Sequence, residues 1–376
     1  MPADAAPPLK RLSDLGQSVW VDYLSRESIR GGHLQELIDQ DSVVGATSNP
    51  TIFEKAMSTG SAYDEQLHEL AAAGSDLEQT FWALAQQDIK DACDLFRPVW
   101  ESSGKRDGYV SLEVDPRLAY ETLQTFREAM HLHQTVDRPN LMVKIPATRP
   151  GLAAIEDVIA KGHSINVTLI FSLQRYAEVA ESYIRGVERL VAEGGDPRAV
   201  ASVASFFVSR IDTEADKRLE ELSPAHPAPQ ELRGKLAVAN ARLAYRHYLE
   251  AFSGPRWEYL VGKGATPQRV LWASTSTKNP AYSDVLYVEE LIGPDTVNTM
   301  PDGTIADFLD HGTVARTIDT GVDDARALIA DLAKAGIDME DVAQTLESEG
   351  VASFAKSFDE LMQSLSDKAN ALAGGS

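Results

Sequence analysis

The apolar positions of this chain follow two alternating patterns. Short β-rich runs recur at SVWVDYL (18–24), VVGATSN (43–49), GYVSLEV (108–114) and LMVKIPA (141–147). Four more follow: SINVTLIFS (164–172), ASVASFFVSRI (201–211), RVLWASTST (269–277) and DTVNTMP (295–301). Between most of them the apolar spacing changes to three and four, as in LEQTFWALAQQDIKDACDLF (77–96), PRLAYETLQTFREAMHLH (116–133), LQRYAEVAESYIRGVERLVAE (173–193) and ELRGKLAVANARLAYRHYLEAF (231–252). Strand followed by helix, repeated, predicts a parallel sheet. Eight such runs predict an α/β fold, a single (β/α)8 (TIM) barrel spanning 1–376. An extra C-terminal helix over about 338–370 is expected on its outside. ELSPAHPAPQEL (221–232) predicts a surface loop, ESSGKRDG (101–108) a polar turn, and ANALAGGS a fraying end.

Neighbouring residues of a strand point to opposite faces, so each run can be sorted by parity. Val143 and Ile145 oppose Met142 and Lys144; Val110, Leu112 and Val114 oppose Ser111 and Glu113. Ile165, Val167, Leu169 and Phe171 oppose Asn166 and Thr168. Val19 and Val21 oppose Trp20 and Asp22, and Val44 and Ala46 oppose Gly45, Thr47 and Asn49. A half-exposed antiparallel sheet would give the same alternation with its polar face in water. The helical segments between the runs decide against that. Crossover helices cover the aliphatic face, and the polar face looks into the barrel. Most of these polar groups fall late in their strands, at the mouth where such barrels place chemistry. Lys144, Glu113, Asp22, Asn49, Asn166 and Thr168 are therefore expected to converge on one cavity.

A lysine in a confined pocket has its charged form disfavoured, and free amine attacks ketones and aldehydes to give a Schiff base. Two carboxylates and a hydroxyl suit the accompanying proton and water transfers. Taken singly, each residue has a plainer reading: a strand lysine is most often an edge residue or ion-pair partner, a lone carboxylate a solvated or capping group. Their coincidence across five strands sets them apart. No HExxH, cysteine cluster, Walker loop or GxGxxG occurs, so neither metal nor cofactor is expected.

Composition narrows the class. A hydrophobic share of 43% and a charged share of 24% are ordinary for a globular protein. No apolar stretch approaches the roughly 18–20 residues that cross a bilayer. MPADAAPPLKRLSDLG has no apolar core of a secretory signal, and a lone cysteine, Cys93, fits a reducing compartment. A cytoplasmic location is expected. The net charge of −22 argues against nucleic acid or an anionic membrane as partner. A small phosphorylated substrate remains compatible, because it needs only a few local cations and backbone donors.

The segments TSNPTIFEKA (47–56), VKIPAT (143–148), INVTLIFS (165–172) and SFFVSRID (205–212) resemble the signature segments of the transaldolase family. The resemblance runs from about Leu12 to about Gly303 in corresponding order, and the length is similar to that of the longer bacterial members. It implies a metal-free class I (β/α)8 transferase of the non-oxidative pentose phosphate pathway. Lys144 would be the Schiff-base lysine, Asp22 the acid/base aspartate, and Glu113 and Thr168 the residues around the exchanged water. Asn49, Asn166 and Ser205 would hold the dihydroxyacetone unit. Arg210 would bind phosphate with Ser274 and Lys278, and Phe207 would line the site. Phe206 and Ser209 stand where the family has proline and glycine, and Lys278 where it usually has arginine. Lysine presents a point charge in place of a planar fork.

The implied reaction moves a dihydroxyacetone unit from sedoheptulose 7-phosphate or fructose 6-phosphate to glyceraldehyde 3-phosphate or erythrose 4-phosphate. The expected partners are these sugar phosphates, with no nucleic acid and no membrane, for a monomer or homodimer. Two alternatives stand beside it. The related fructose-6-phosphate aldolases release dihydroxyacetone, but usually carry tyrosine where Phe207 stands and glutamine where Glu113 stands. A non-catalytic sugar-phosphate binder would have no need of the lysine, both carboxylates and the threonine.

Overall fold

The computed structural model describes residues 6–222 and 231–374. Its strands are β1 (Gln17–Val21), β2 (Val43–Thr47), β3 (Tyr109–Glu113), β4 (Leu141–Pro146), β5 (Ile165–Ile170), β6 (Ser202–Phe207), β7 (Arg269–Ala273) and β8 (Thr296–Met300). They close in sequence order into an eight-stranded parallel barrel, β8 pairing with β1. The architecture is the (β/α)8 barrel that the alternating pattern predicts. Seven of the eight strands fall within the β-rich runs, and β1 begins one residue before its run.

The local chemistry of the strand ends shows why each chain segment turns back. Asn49, Thr148 and Ser172 each sit just beyond a strand and accept a backbone N–H with the side chain, capping the helices Pro50–Ser58, Arg149–Ala160 and Leu173–Ala192. Proline in the first turn of the first two supplies a preset backbone angle where no N–H is needed. The aliphatic strand face, including Val19, Val110, Val143, Ile145, Ile165 and Val167, is fully buried beneath this helical layer.

At the N-terminal end the barrel is plugged. Trp20 fills the interior against Gly45, where a Cβ would lie 2.6 Å from the indole, so only glycine fits. Below it Arg269 donates to Ser18 Oγ (2.7 Å) and pairs with Asp107 (2.9 Å), all three buried.

Three features depart from the pattern. Leu169 and Phe171 do not continue the aliphatic face of β5. The pairing with β6 slips between Val167 and Ile170, and Leu169 takes a left-handed conformation (φ 60°). A bulge re-aims the residues around it: Leu169 turns toward Gly350, and Phe171 packs on Phe207 with ring centroids 5.2 Å apart. Second, the C-terminal helix spans Met339–Gly374, continuing through most of ANALAGGS. Alanine and leucine are strong helix formers, and extending an existing helix is easy. Lys368 ties this end to Asp64 (2.8 Å) and to the carbonyl of Gly60 (2.8 Å). Third, that helix packs on Pro50–Ser58, Pro116–Leu118 and Ser209–Leu222, which follow β2, β3 and β6, and on β5 itself. It thus crosses the edge of the barrel mouth. The predicted loop 221–232 lies outside the described residues over 223–230.

Candidate active site

The strand register sets Glu113, Lys144 and Asn166 side by side, because Glu113 pairs with Lys144 and Lys144 with Asn166 across adjacent strands. Same-parity residues in register share a face, so the three side chains enter the barrel together. Lys144 is 5% and Glu113 4% exposed, and Lys144 Nζ stands 3.3 Å from Glu113 Oε2. The amine also donates to the carbonyl of Ser48 at 2.9 Å.

Burial pushes the Glu113 carboxyl above the ordinary carboxylate range; Lys144 opposes the shift and nearby Asp22 adds to it. Glu113 Oε1 and the Thr168 hydroxyl are buried with no hydrogen-bond partner among the described residues, while Glu113 Oε2 pairs with the Lys144 amine. Orphaned polar atoms are uncommon inside proteins. Here the Glu113 carboxyl lies beside the amine.

Asp22 follows β1 and is held by its backbone N–H on the Met300 carbonyl (2.8 Å). Thr47 donates its hydroxyl to Asp22 Oδ1 (2.6 Å) and meets Thr299 Oγ1 at 2.8 Å. Desolvation raises the Asp22 pKa, countered by Lys144, the Thr47 hydrogen bond, Arg210 and Lys278. The two carboxylates, the amine and both candidate phosphate cations thus share one electrostatic environment.

Asn166 and Ser205 form a buried chain: Ser205 Oγ donates to Asn166 Oδ1 (2.6 Å), and Asn166 Nδ2 donates to Ser111 Oγ (3.0 Å). Asn49 is different. Its oxygen caps a helix by accepting from Ile52 N (3.0 Å), and its amide N–H2 stays available for another partner. Arg210 is half-buried, stacks over the Phe207 ring at 5.3 Å, and has no ion-pair or hydrogen-bond partner among the described residues. Burial lowers its pKa, with Asp22 and Glu349 opposing. Ser274, in a left-handed conformation (φ 56°), meets Ser209 Oγ at 2.9 Å and accepts from Ser209 N at 3.0 Å. Lys278 is exposed and reaches Ser276 Oγ at 3.3 Å.

Among the described residues no group of three or more His, Cys, Asp or Glu side chains is placed to hold a metal ion. No helix among them is long and apolar enough to cross a membrane. Cys93 is buried in the helix Leu77–Ser102, with its thiol pushed far up by desolvation. A cavity of about 610 Å³ beside the C-terminal helix, lined by Tyr120, Arg149, Phe171, Arg175 and Glu347 among others, contains none of the converging residues.

Comparison with known proteins meets this geometry. The model of the family described as transaldolase/fructose-6-phosphate aldolase matches residues 19–365. A transaldolase of Parafrankia sp. (strain EAN1pec) is 52% identical over 97% of this chain and 99% of its own length. Transaldolases of Frankia alni (50%, over 96% of this chain and 97% of the relative) and Mycobacterium tuberculosis (52%, over 95% and 96%) are similar along almost their whole length. The chain belongs to the transaldolase/fructose-6-phosphate aldolase family.

Its activity is accordingly that of a transaldolase, a transferase, and the pentose phosphate pathway is the role of that family. Within this transaldolase-type barrel, parity alone assigned no task to Thr47, Thr299, Ser111 or the Ser48 carbonyl, although each touches a candidate residue. The first three carried a signal. Thr47 and Ser111 lie on the polar faces of their runs, and Thr299 pairs with Trp20 across the closing seam. The Ser48 contact is made by backbone and leaves no trace in residue type. Ser209, the first residue of the helix after β6, uses its hydroxyl to meet Ser274 Oγ.

Proposed function

We propose that Lys144 is the nucleophile of the dihydroxyacetone transfer. Its unprotonated amine attacks the keto carbon of sedoheptulose 7-phosphate or fructose 6-phosphate, and a water leaves as the imine forms. Glu113 and Thr168 handle that water; the unpartnered Glu113 Oε1 and Thr168 hydroxyl and the raised proton affinity of Glu113 support this role. Asp22 takes the proton of the carbon-4 hydroxyl, the bond to carbon 3 breaks, and its electron pair enters the protonated imine. An aldose phosphate departs. Asn49, Asn166 and Ser205 hold the three-carbon fragment until glyceraldehyde 3-phosphate or erythrose 4-phosphate accepts it and Asp22 returns the proton. Hydrolysis then frees Lys144.

Arg210, aided by Lys278 and Ser274, grips the phosphate of donor and acceptor alike, and Phe207 supports the guanidinium from below. The enzyme acts in the cytoplasm on these small sugar phosphates as a monomer or homodimer, without nucleic acid, membrane or cofactor.

The observation that carries this reading is the buried amine 3.3 Å from Glu113, with Asp22 in the same electrostatic environment. Borohydride added with fructose 6-phosphate, followed by mass mapping, is expected to fix a three-carbon adduct on Lys144. An adduct elsewhere, or none, ends the proposal. Omitting erythrose 4-phosphate is expected to stop turnover; steady release of dihydroxyacetone would identify an aldolase instead.

A further inference from the structure

Two unusual backbone choices meet at one point of the barrel mouth. Leu169, neither glycine nor asparagine, is held in the left-handed region (φ 60°) where β5 slips against β6. Such residues persist where surrounding structure over-determines them, and they cluster at functional sites. Opposite it, the long helix Met339–Gly374 carries a buried glycine, Gly350, at an interior position where glycine is a poor helix former. A methyl at Gly350 would stand 3.0 Å from Leu169 Cδ2, 3.6 Å from Leu169 Cδ1 and 3.8 Å from Arg210 Nη1. The missing side chain lets the helix backbone come down onto Leu169 and beside the guanidinium.

We propose that Leu169 and Gly350 form a seat that sets the height of the C-terminal helix over Arg210, making Gly350 a specificity-determining position for the phosphorylated end of the sugar. This inference rests on Arg210 being the phosphate ligand. The helix backbone is then one wall of the phosphate subsite, and the Leu169–Gly350 contact determines how much room the phosphate has. The strain at Leu169 acquires a purpose: a regular strand would point this side chain at the crossover helices, and only the bulge turns it upward. Both residues act through Arg210 and are positioning residues.

The proposal separates binding of the phosphate arm from chemistry at Lys144. In the full-length enzyme, Gly350→Val is expected to raise KM for fructose 6-phosphate about tenfold while kcat stays within about twofold. Borohydride trapping of unphosphorylated dihydroxyacetone is expected to proceed as in the parent. Adding Leu169→Ala to Gly350→Val is expected to recover at least about threefold of the lost KM, since it removes the obstructing methyls. Should the valine variant not fold, Gly350→Ala carries the same test with KM raised about threefold.

An unchanged KM in these variants, in an enzyme whose Arg210→Ala form has a raised KM, overturns the seat while leaving the phosphate assignment intact. Equal losses with fructose 6-phosphate and dihydroxyacetone also overturn it, because a general structural defect would produce them. An unchanged KM in Arg210→Ala removes the assignment on which the seat depends.

Discussion

Lys144 Nζ and Glu113 Oε2 are 3.3 Å apart, on paired strands and in register, with side chains no more than 6% exposed. A buried pair of this kind is a weak source of stability but a sensitive chemical unit, because removing one partner leaves the other uncompensated. Glu113→Gln keeps the shape and removes the charge. Its kcat is expected to fall about 10²–10³-fold, with slower borohydride-trapped adduct formation, if the carboxylate moves protons around the imine. A kcat within about threefold of the parent would take Glu113 out of the reaction.

Thr47 donates to Asp22, the carboxylate proposed to drive C–C cleavage. That hydrogen bond favours the ionised form of Asp22 and partly offsets the rise that burial causes. In Thr47→Val the aspartate pKa therefore rises further, and the acid limb of the kcat profile is expected to move to higher pH. The same limb in both enzymes would show that Asp22 does not govern it.

The two candidate phosphate cations differ in setting, so their removal should differ in kind. Arg210 is half-buried and has no protein acceptor among the described residues; Lys278 is exposed. Arg210→Ala is expected to raise KM for fructose 6-phosphate about 100-fold. Lys278→Ala is expected to raise it about threefold at low salt, with the difference vanishing near 0.5 M salt as exposed charge is screened. Equal and salt-independent effects would contradict this division.

Stability has its own pH signature. Burial pushes Glu128 up to about 7, with Asp115 adding to the rise, while Glu128 accepts the Asp115 backbone N–H at 3.2 Å. A carboxyl whose folded pKa is raised stabilises the fold below its unfolded value, and that contribution is lost as pH rises through about 7. Glu128→Gln retains an acceptor and lacks the buried charge. It is expected to be more stable than the parent by about 1–2 kcal/mol at pH 8, and equally stable near pH 4, in denaturant unfolding. A gap independent of pH would contradict the assignment.

The barrel and the central ladder were legible because they obey a rule of period two. Glu113, Lys144, Asn166 and Thr168 could be placed on one face from parity, since β3, β4 and the first half of β5 are regular. Leu169 and Phe171 were misplaced by the same rule, because one left-handed residue ends the alternation and no residue type announces it. Asn49 was read as a strand-face residue, whereas its oxygen is taken by a helix cap; Asn-Pro at a strand end is itself a capping signature. The course of Met339–Gly374 over the mouth depends on tertiary packing, and helical periodicity reports only that a helix exists.

The floor made by Trp20, Arg269, Asp107 and Ser18 also bears on kinetics. With that end stoppered, reactants reach the amine through one doorway only, and outgoing and incoming aldoses cannot pass each other. Turnover must then be ping-pong, the first product clearing the entrance before the next aldehyde comes in, and double-reciprocal plots at several acceptor concentrations should run parallel.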